Sequence, residues 1–279
     1  MTDTPDPTFR LTVRVPHHDQ DAVSAWLFTA GALGITTDKD TLTCWFAAPR
    51  FAPTALAVPA SLAHVSEDQF LPEPHRDWHA AWVDTITAVT VGPFLITPQW
   101  LVDTTPLPND MIRLIVDPAQ AFGSGHHATT AMCLELLHES SGQFPDWQVA
   151  DVGCGTGVLA IAAAKLGATV EAVDTDAIAV RVTEKNAAIN GVTLATAVGS
   201  VDALSTRAHT LVANLLSDTI ISLAEELATA PTKELIVSGI AHEHFPRVEQ
   251  ALKPFTGAAA TVAHRDGWVA ARFHTDATR

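Results

Sequence analysis

The sequence predicts an α/β protein: a mostly parallel, doubly wound sheet that ends in an antiparallel hairpin, preceded by a small α+β domain. Three observations carry this. Apolar strand segments at 147–152, 169–174, 209–213 and 234–238 alternate with helical segments at 157–166, 176–190, 216–229 and 243–252. Such alternation builds a parallel sheet covered on both faces. Segments 258–264 and 268–273 have no helix between them and pair as a hairpin. The first 70 residues follow a different pattern, and 279 residues are too many for one small core.

In chain order, Phe9, Leu11, Val13 and Val15 alternate with polar residues and predict a half-buried strand. Residues 19–30 read as a helix, with Asp19 near its start and Gly31 as its stop. Strands near 33–37 and 41–48 follow, and the Ala- and Pro-rich stretch 51–65 fits neither class. PEPHR at 72–76 marks a break. Trp78 and Trp82, four residues apart, share one face of a connecting helix that buries two indoles. The expected division is therefore a small α+β (ferredoxin-like) domain over 1–70, a linker helix over 71–88 and the large domain over 89–279. Within the last, MIRLIVDP at 111–118 is a further strand candidate.

The formal charge is −15, and residues 1–70, 71–120 and 121–279 are each net negative, so the acidity is not confined to a tail. That field repels phosphate backbones and anionic lipid, and leaves a basic protein as a natural partner. The chain has no Tyr, which removes that residue from every mechanism. With 47% hydrophobic and 17% charged residues the composition is globular. No uncharged run reaches membrane-spanning length without Pro, Gly or His breaking it, and the segment MTDTPDPTF lacks the pattern of a signal peptide. Cys44, Cys133 and Cys154 lie far apart without a CxxC pair, which argues against a disulfide or zinc framework and fits a reducing cytoplasm.

The strongest local feature is the run from Val149 to Leu159, VADVGCGTGVL, in which an apolar strand enters a glycine turn and an apolar helix leaves it. Gly153, Gly155 and Gly157 permit unusual backbone angles and close approach of a ligand. The spacing departs from the dinucleotide fingerprint G-x-G-x-x-G, and no Lys-Ser/Thr pair makes it a P-loop. Asp151 beside the loop disfavours a pyrophosphate and favours a cation. S-adenosylmethionine is such a ligand, with charge at sulfur and at its amino group and no phosphate. Asp174 closes the next strand, where a carboxylate accepts both ribose hydroxyls, and Asp176 is placed to cap the following helix. Asn214, in VANLL, sits where a doubly wound sheet holds its ligand and is the candidate that faces the transferred methyl group. Many amino methyltransferases carry an aromatic ring just after this Asn; here Leu215 and Leu216 follow, which disfavours a flat nucleobase as acceptor.

Upstream lies AFGSGHHATT, residues 121–130. Gly123 and Gly125 make a pliable loop, Phe122 is a candidate cap on a flat ligand, and Thr129 and Thr130 offer hydroxyls at a helix start. His126 and His127 have no carboxylate at ligand spacing, so no metal site is expected there, and local hydrogen bonding is favoured over catalysis for both.

With these motifs in hand the chain resembles the PrmA family, bacterial methyltransferases of large-subunit ribosomal protein L-eleven. The resemblance runs through Asp77-Trp78 with Trp82, Phe122 to Thr130, Asp151 to Ala162, Asp174 with Asp176, Ala213 to Leu216, and Ser238-Gly239-Ile240, and Trp268 also fits. Ser124 replaces a usual Thr, and Ala128 stands where several members have Pro or Glu. The resemblance implies a Rossmann-like class I methyltransferase domain and an N-terminal domain that recognises substrate. It also implies S-adenosylmethionine contacts at Thr130, Gly153, Asp174 and Asn214, and transfer of methyl groups to N-terminal and lysine amines; the loops themselves add Gly155 and Phe122 to the expected cofactor contacts. The expected partner is the free ribosomal protein before subunit assembly, with no direct contact to nucleic acid or membrane and a monomeric enzyme. Two alternatives stay open on residues alone: a methyltransferase of RNA or of a small metabolite amine, and a non-enzymatic S-adenosylmethionine-binding protein.

Overall fold

The computed structural model describes residues 8–16, 20, 23–24, 27, 31–32, 34–47, 66–73, 87–117, 127–256 and 259–275. The chain divides into two compact units, Met1–Thr85 and Ile86–Arg279.

In the first unit, β1 (Thr8–Arg14), β2 (Gly34–Asp38), β3 (Thr41–Ala47) and β4 (Ser66–Glu73) form an antiparallel sheet in the order β2-β3-β1-β4. That is the strand order of a ferredoxin-like unit. Between β1 and β2, Gln20, Val23, Ser24 and Leu27 have helical backbone. The alternation seen in β1 places Leu11, Val13 and Val15 in one core with Val23, Leu27, Leu42, Cys44 and Phe46. β4 was not expected: its sequence SEDQFLPE is acidic and contains Pro72. It also takes residues 71–73, which the sequence assigned to the start of the linker helix. Trp78 and Trp82 of that helix lie outside the described residues.

The second unit opens with β5 (Val89–Val91), β6 (Phe94–Pro98) and β7 (Ile112–Val116), a small sheet in which β5 and β6 form a hairpin and β7 runs parallel to β6. Only β7 was anticipated. Helix α1 (Ala128–Ser140) follows. Then come β8 (Gln148–Val152), α2 (Val158–Lys165), β9 (Thr169–Asp174), α3 (Ala177–Ile189), β10 (Ala195–Val198) and β11 (Thr210–Asn214). The remainder is α4 (Ser217–Ser222), α5 (Ala224–Thr229), β12 (Glu234–Ala241), α6 (Phe245–Thr256), β13 (Thr261–Arg265) and β14 (Trp268–His274).

The seven-stranded sheet has the order β10-β9-β8-β11-β12-β14-β13. The first five strands are parallel, and the β13–β14 hairpin joins antiparallel through β14. The chain winds outward from β8 to β10 and then returns to β11 on the other side of β8. The carboxyl ends of β8 and β11 therefore flank the topological switch point, where such sheets hold ligands.

Strict alternation along the central strands splits the core into two layers. Val149, Val170, Val212 and Ile236 face α1 and α2, whereas Ala150, Val152, Leu211, Ala213, Leu235 and Val237 belong to the layer with Ile220, Leu227, Val248 and Leu252 of α4, α5 and α6. Strands buried on both sides read as unbroken apolar runs, which is why they were legible. Among the described residues no helix is long and apolar enough to cross a membrane. All three cysteines are free and buried, and burial pushes each thiol well above its ordinary pKa, so they are poor nucleophiles.

Candidate functional site

The glycine loop joins β8 to α2 at the switch point. Gly153, Gly155 and Gly157 have φ of 77°, 55° and 79°, the left-handed region that side chains avoid. Space forbids side chains as well: a Cβ at Gly153 would lie 2.4 Å from Leu215 Cδ2, and one at Gly157 2.8 Å from Thr183 Cγ2. The amides of Gly153 and Cys154 donate to the Val173 carbonyl at 2.8 and 3.1 Å, which fastens the loop to the end of β9.

Asp174 is the hinge of this region. Its Oδ2 accepts from the Gly155 amide at 3.0 Å and its Oδ1 from the Asp176 amide at 2.9 Å. Asp176 caps α3 by accepting from Ile178 N at 2.7 Å, as the sequence predicts. The carboxylate of Asp174 is thereby aimed and half-exposed at the carboxyl edge of the sheet.

Asp151 is placed differently. It is 1% exposed, with Oδ2 accepting from Ala160 N at 3.1 Å and Oδ1 buried without a partner. Burial pushes its pKa from 3.8 up to about 7; the Ala160 amide pulls it down and the charge of Asp174 adds to the rise. Asp151 therefore acts from behind the loop and does not line an open surface. A positive charge over the loop favours its ionised form.

Across the switch point, Asn214 ends β11. Its Nδ2 donates to Thr130 Oγ1 at 3.3 Å, across 84 residues of sequence, which leaves the amide oxygen as acceptor. Thr130 is buried in the first turn of α1. His127 is the N-cap of that helix: its side chain accepts from Thr129 N, and Nδ1 lies 2.8 Å from Thr129 Oγ1. Its ring also meets the Trp268 indole edge-on, with centroids 4.9 Å apart. The lone pair of Nδ1 is thus directed at the cap, the local role favoured for this residue over that of a base. Leu216, at the mouth of the site, is largely exposed.

Among the predicted residues, then, Thr130 with Asn214 and Gly155 with Asp174 are brought into direct contact, and Gly153 packs on Leu215. Phe122, with the rest of its loop from Ala121 to His126, lies outside the described residues.

Three supporting residues had been given no role. Gly239, with φ 83°, passes so close to β11 that a Cβ would lie 2.2 Å from the Leu215 carbonyl and 3.1 Å from Asn214 Oδ1. A register irregularity between Val237 and Ile240 accompanies it. On α3, Thr183 donates to the Gly155 carbonyl at 3.1 Å, and Asn186 bridges the glycine loop and β7, donating to Thr156 O at 2.9 Å and accepting from Asp117 N at 3.1 Å. Their signal was present: Thr183, Asn186 and Asn190 recur at i, i+3 and i+7 within the buried stripe of α3.

The donors fit a cationic nucleoside without phosphate. Asp174 offers a half-exposed carboxylate that ribose hydroxyls can meet, the glycines leave bare backbone, and Asp151, which a cation would ionise, is disfavoured beside a pyrophosphate.

Comparison with known proteins agrees. The model of the family described as ribosomal protein L11 methyltransferase (PrmA) matches residues 60–276. The ribosomal protein L11 methyltransferase of Desulfitobacterium hafniense is 40% identical over 203 residues, 71% of this chain and 64% of the relative. That of Myxococcus xanthus is 30% identical over 277 residues, 93% of this chain and 96% of the relative. The match thus spans less than two thirds of the first relative's length and almost all of the second's. The crystal structure of a ribosomal protein L11 methylase from Lactobacillus delbrueckii subsp. bulgaricus aligns with a TM-score of 0.62 at 29% identity, covering 68% of this chain and 100% of that one. A matched segment of this length, carrying the glycine loop, Asp174, Asn214 and Gly239 in one site, means that the chain belongs to the PrmA family of ribosomal protein L11 methyltransferases.

Proposed function

We propose that this protein is an S-adenosylmethionine-dependent N-methyltransferase that modifies the N-terminal amine and lysine amines of ribosomal protein L11. The observation that carries the reading is the Asn214 amide, pinned by Thr130 at the carboxyl end of β11 beside the glycine loop. Family membership supports the same activity.

The cofactor supplies a methyl group on a cationic sulfonium, open to in-line attack by a neutral amine. Gly153 and Gly155 would let the backbone approach it, Asp174 would hold the ribose, and Thr130 and Asn214 would contact it from the other side of the switch point; Phe122 is the sequence candidate for a cap. Asp151, ionised under a cation, stabilises that charge from behind. The amine must first lose a proton. For a lysine at pH 7 that costs about 4.6 kcal/mol, and for an α-amine about 1.1 kcal/mol. Desolvation at the site lowers both costs. Asn214 Oδ1, left free by the bond from Nδ2 to Thr130, accepts a hydrogen bond from the amine and points its lone pair.

The N-terminal unit recognises the substrate. The monomeric enzyme works in the cytoplasm on the free ribosomal protein, without binding nucleic acid. The acidic surface supports this choice, since it attracts a lysine-rich protein and repels ribosomal RNA. The test is incubation of methyl-labelled cofactor with purified L11, then with whole large subunits, followed by counting of label in separated RNA and protein and mass spectrometry of the tryptic peptides. Methylated N-terminal and lysine peptides, formed faster on the free protein, are the expected result. Label on RNA, or none on protein, would sink the activity; equal rates on both substrates would sink the preference for the free form.

A further inference from the structure

Beyond the glycine loop, a second cluster of chemistry-bearing side chains lies at the carboxyl end of the sheet. His242, directly after β12, and His264, in β13, bring their Nδ1 atoms to 3.3 Å, with ring centroids 5.1 Å apart and the ring planes inclined at 60°. They line a cavity of about 290 Å³ with Arg265, Asp266, Gly267 and Trp268. From this geometry we infer a binding site for a divalent transition-metal ion of the zinc type, chelated by Nδ1 of His242 and Nδ1 of His264.

The spacing is that of a chelate. At metal–nitrogen bonds of about 2.05 Å, two nitrogens 3.3 Å apart subtend about 107° at the ion, close to the tetrahedral angle that zinc adopts. The backbone holds both residues in place. Ala241 pairs with Trp268, and His264 with Val269, in adjoining ladders. The His242 amide donates to the Gly267 carbonyl at 2.8 Å. Electrostatics favour a cation. The guanidinium of Arg265 is turned onto Glu135, with 3.0 Å contacts to both carboxylate oxygens, so its charge is balanced. Asp266 adds negative charge to the cavity. Among the described residues no group of three His, Cys, Asp or Glu side chains forms a metal cage, so water completes the coordination. The site is therefore open and exchangeable, unlike a closed structural zinc centre. Imidazole donors place the ion among zinc, nickel, cobalt and copper, and exclude magnesium and calcium.

Calorimetric titration of the full chain with zinc chloride tests this. Both histidines are exposed, so substitution leaves the core intact. The wild type is expected to take up one zinc ion. His242→Ala and His264→Ala should each weaken that binding about tenfold or more, while His244→Ala, two residues from His242, leaves it unchanged. Thermal melts in chelator confirm that the variants are folded. A wild type that binds no zinc overturns the site. Binding that survives both substitutions overturns it as well.

Discussion

Asp151 joins two properties that rarely coexist, full burial and an unpartnered carboxylate oxygen. With a folded pKa of about 7 against 3.8 in the free chain, the fold favours the protonated acid. Its contribution to stability is complete below about pH 4 and is lost as pH rises toward 7, on the order of 4 kcal/mol in all. Urea unfolding of the cofactor-free protein should show this decline between about pH 4 and pH 7, and Asp151→Asn should flatten it. Cofactor binding runs the opposite way. A cation stabilises the carboxylate, so affinity should climb as pH approaches 7 and level off above it, and the climb should vanish in Asp151→Asn. A wild-type profile unchanged by the substitution would remove Asp151 from cofactor recognition. For Asn214→Ala, methyl transfer should fall more than tenfold while calorimetry still registers cofactor binding; near-normal turnover would remove the residue from the mechanism. Asp174 and Asn214 stood out in the sequence because each closes an apolar strand, and Asp151 because it interrupts one just before the glycine turn. Gly239, Thr183 and Asn186 were not assigned roles, because what gives them meaning is a neighbour distant in sequence: Leu215 for Gly239, the glycine loop for the other two.

Elements depend on such tertiary neighbours even more. The helix expected over 216–229 is two short helices that part at Leu223 (φ −107°, ψ 18°). No Gly or Pro marks the break. It lets Ile220 on one half and Leu227 on the other both reach the layer held by Val248 and Leu252 of α6. β10 escaped notice because ATAV is four residues long, lies at the sheet edge and has no buried face. β12 outruns its expected end at 238 because Gly239 absorbs the irregularity and Ile240 resumes pairing with Val269. The contact between α3 and the glycine loop gives a direct test. Gly157→Ala combines a strained φ with a Cβ 2.8 Å from Thr183 Cγ2, and should lower stability by more than about 1 kcal/mol. Adding Thr183→Ala should recover only the part due to crowding, so the two changes should be non-additive in thermal melts. Full additivity would mean that the two residues do not press on each other.

At the scale of the whole molecule, the charge of −15 governs encounter more than chemistry. Added salt should raise KM for ribosomal protein L11, the proposed substrate, and leave kcat nearly constant, since screening weakens long-range attraction without touching the half-buried amide at the end of β11. A kcat that fell in parallel would place the salt effect within the site. Sequence periodicity predicted the layers of the large unit, yet it was silent on the order of strands. The hairpin of β13 and β14 was expected, but nothing local shows that β14, the later strand, sits inside the sheet with β13 at its rim. That arrangement sets a timetable for folding during synthesis. β12 leaves the ribosome before its interior neighbour exists, and α6, the adjoining turn and all of β13 must emerge before β14 can cover it. Until residue 274 is free, the edge of β12 is a template for any strand nearby, so a chain stopped after Thr256 should accumulate as aggregate. The protein is thus vulnerable for as long as β14 is still being made.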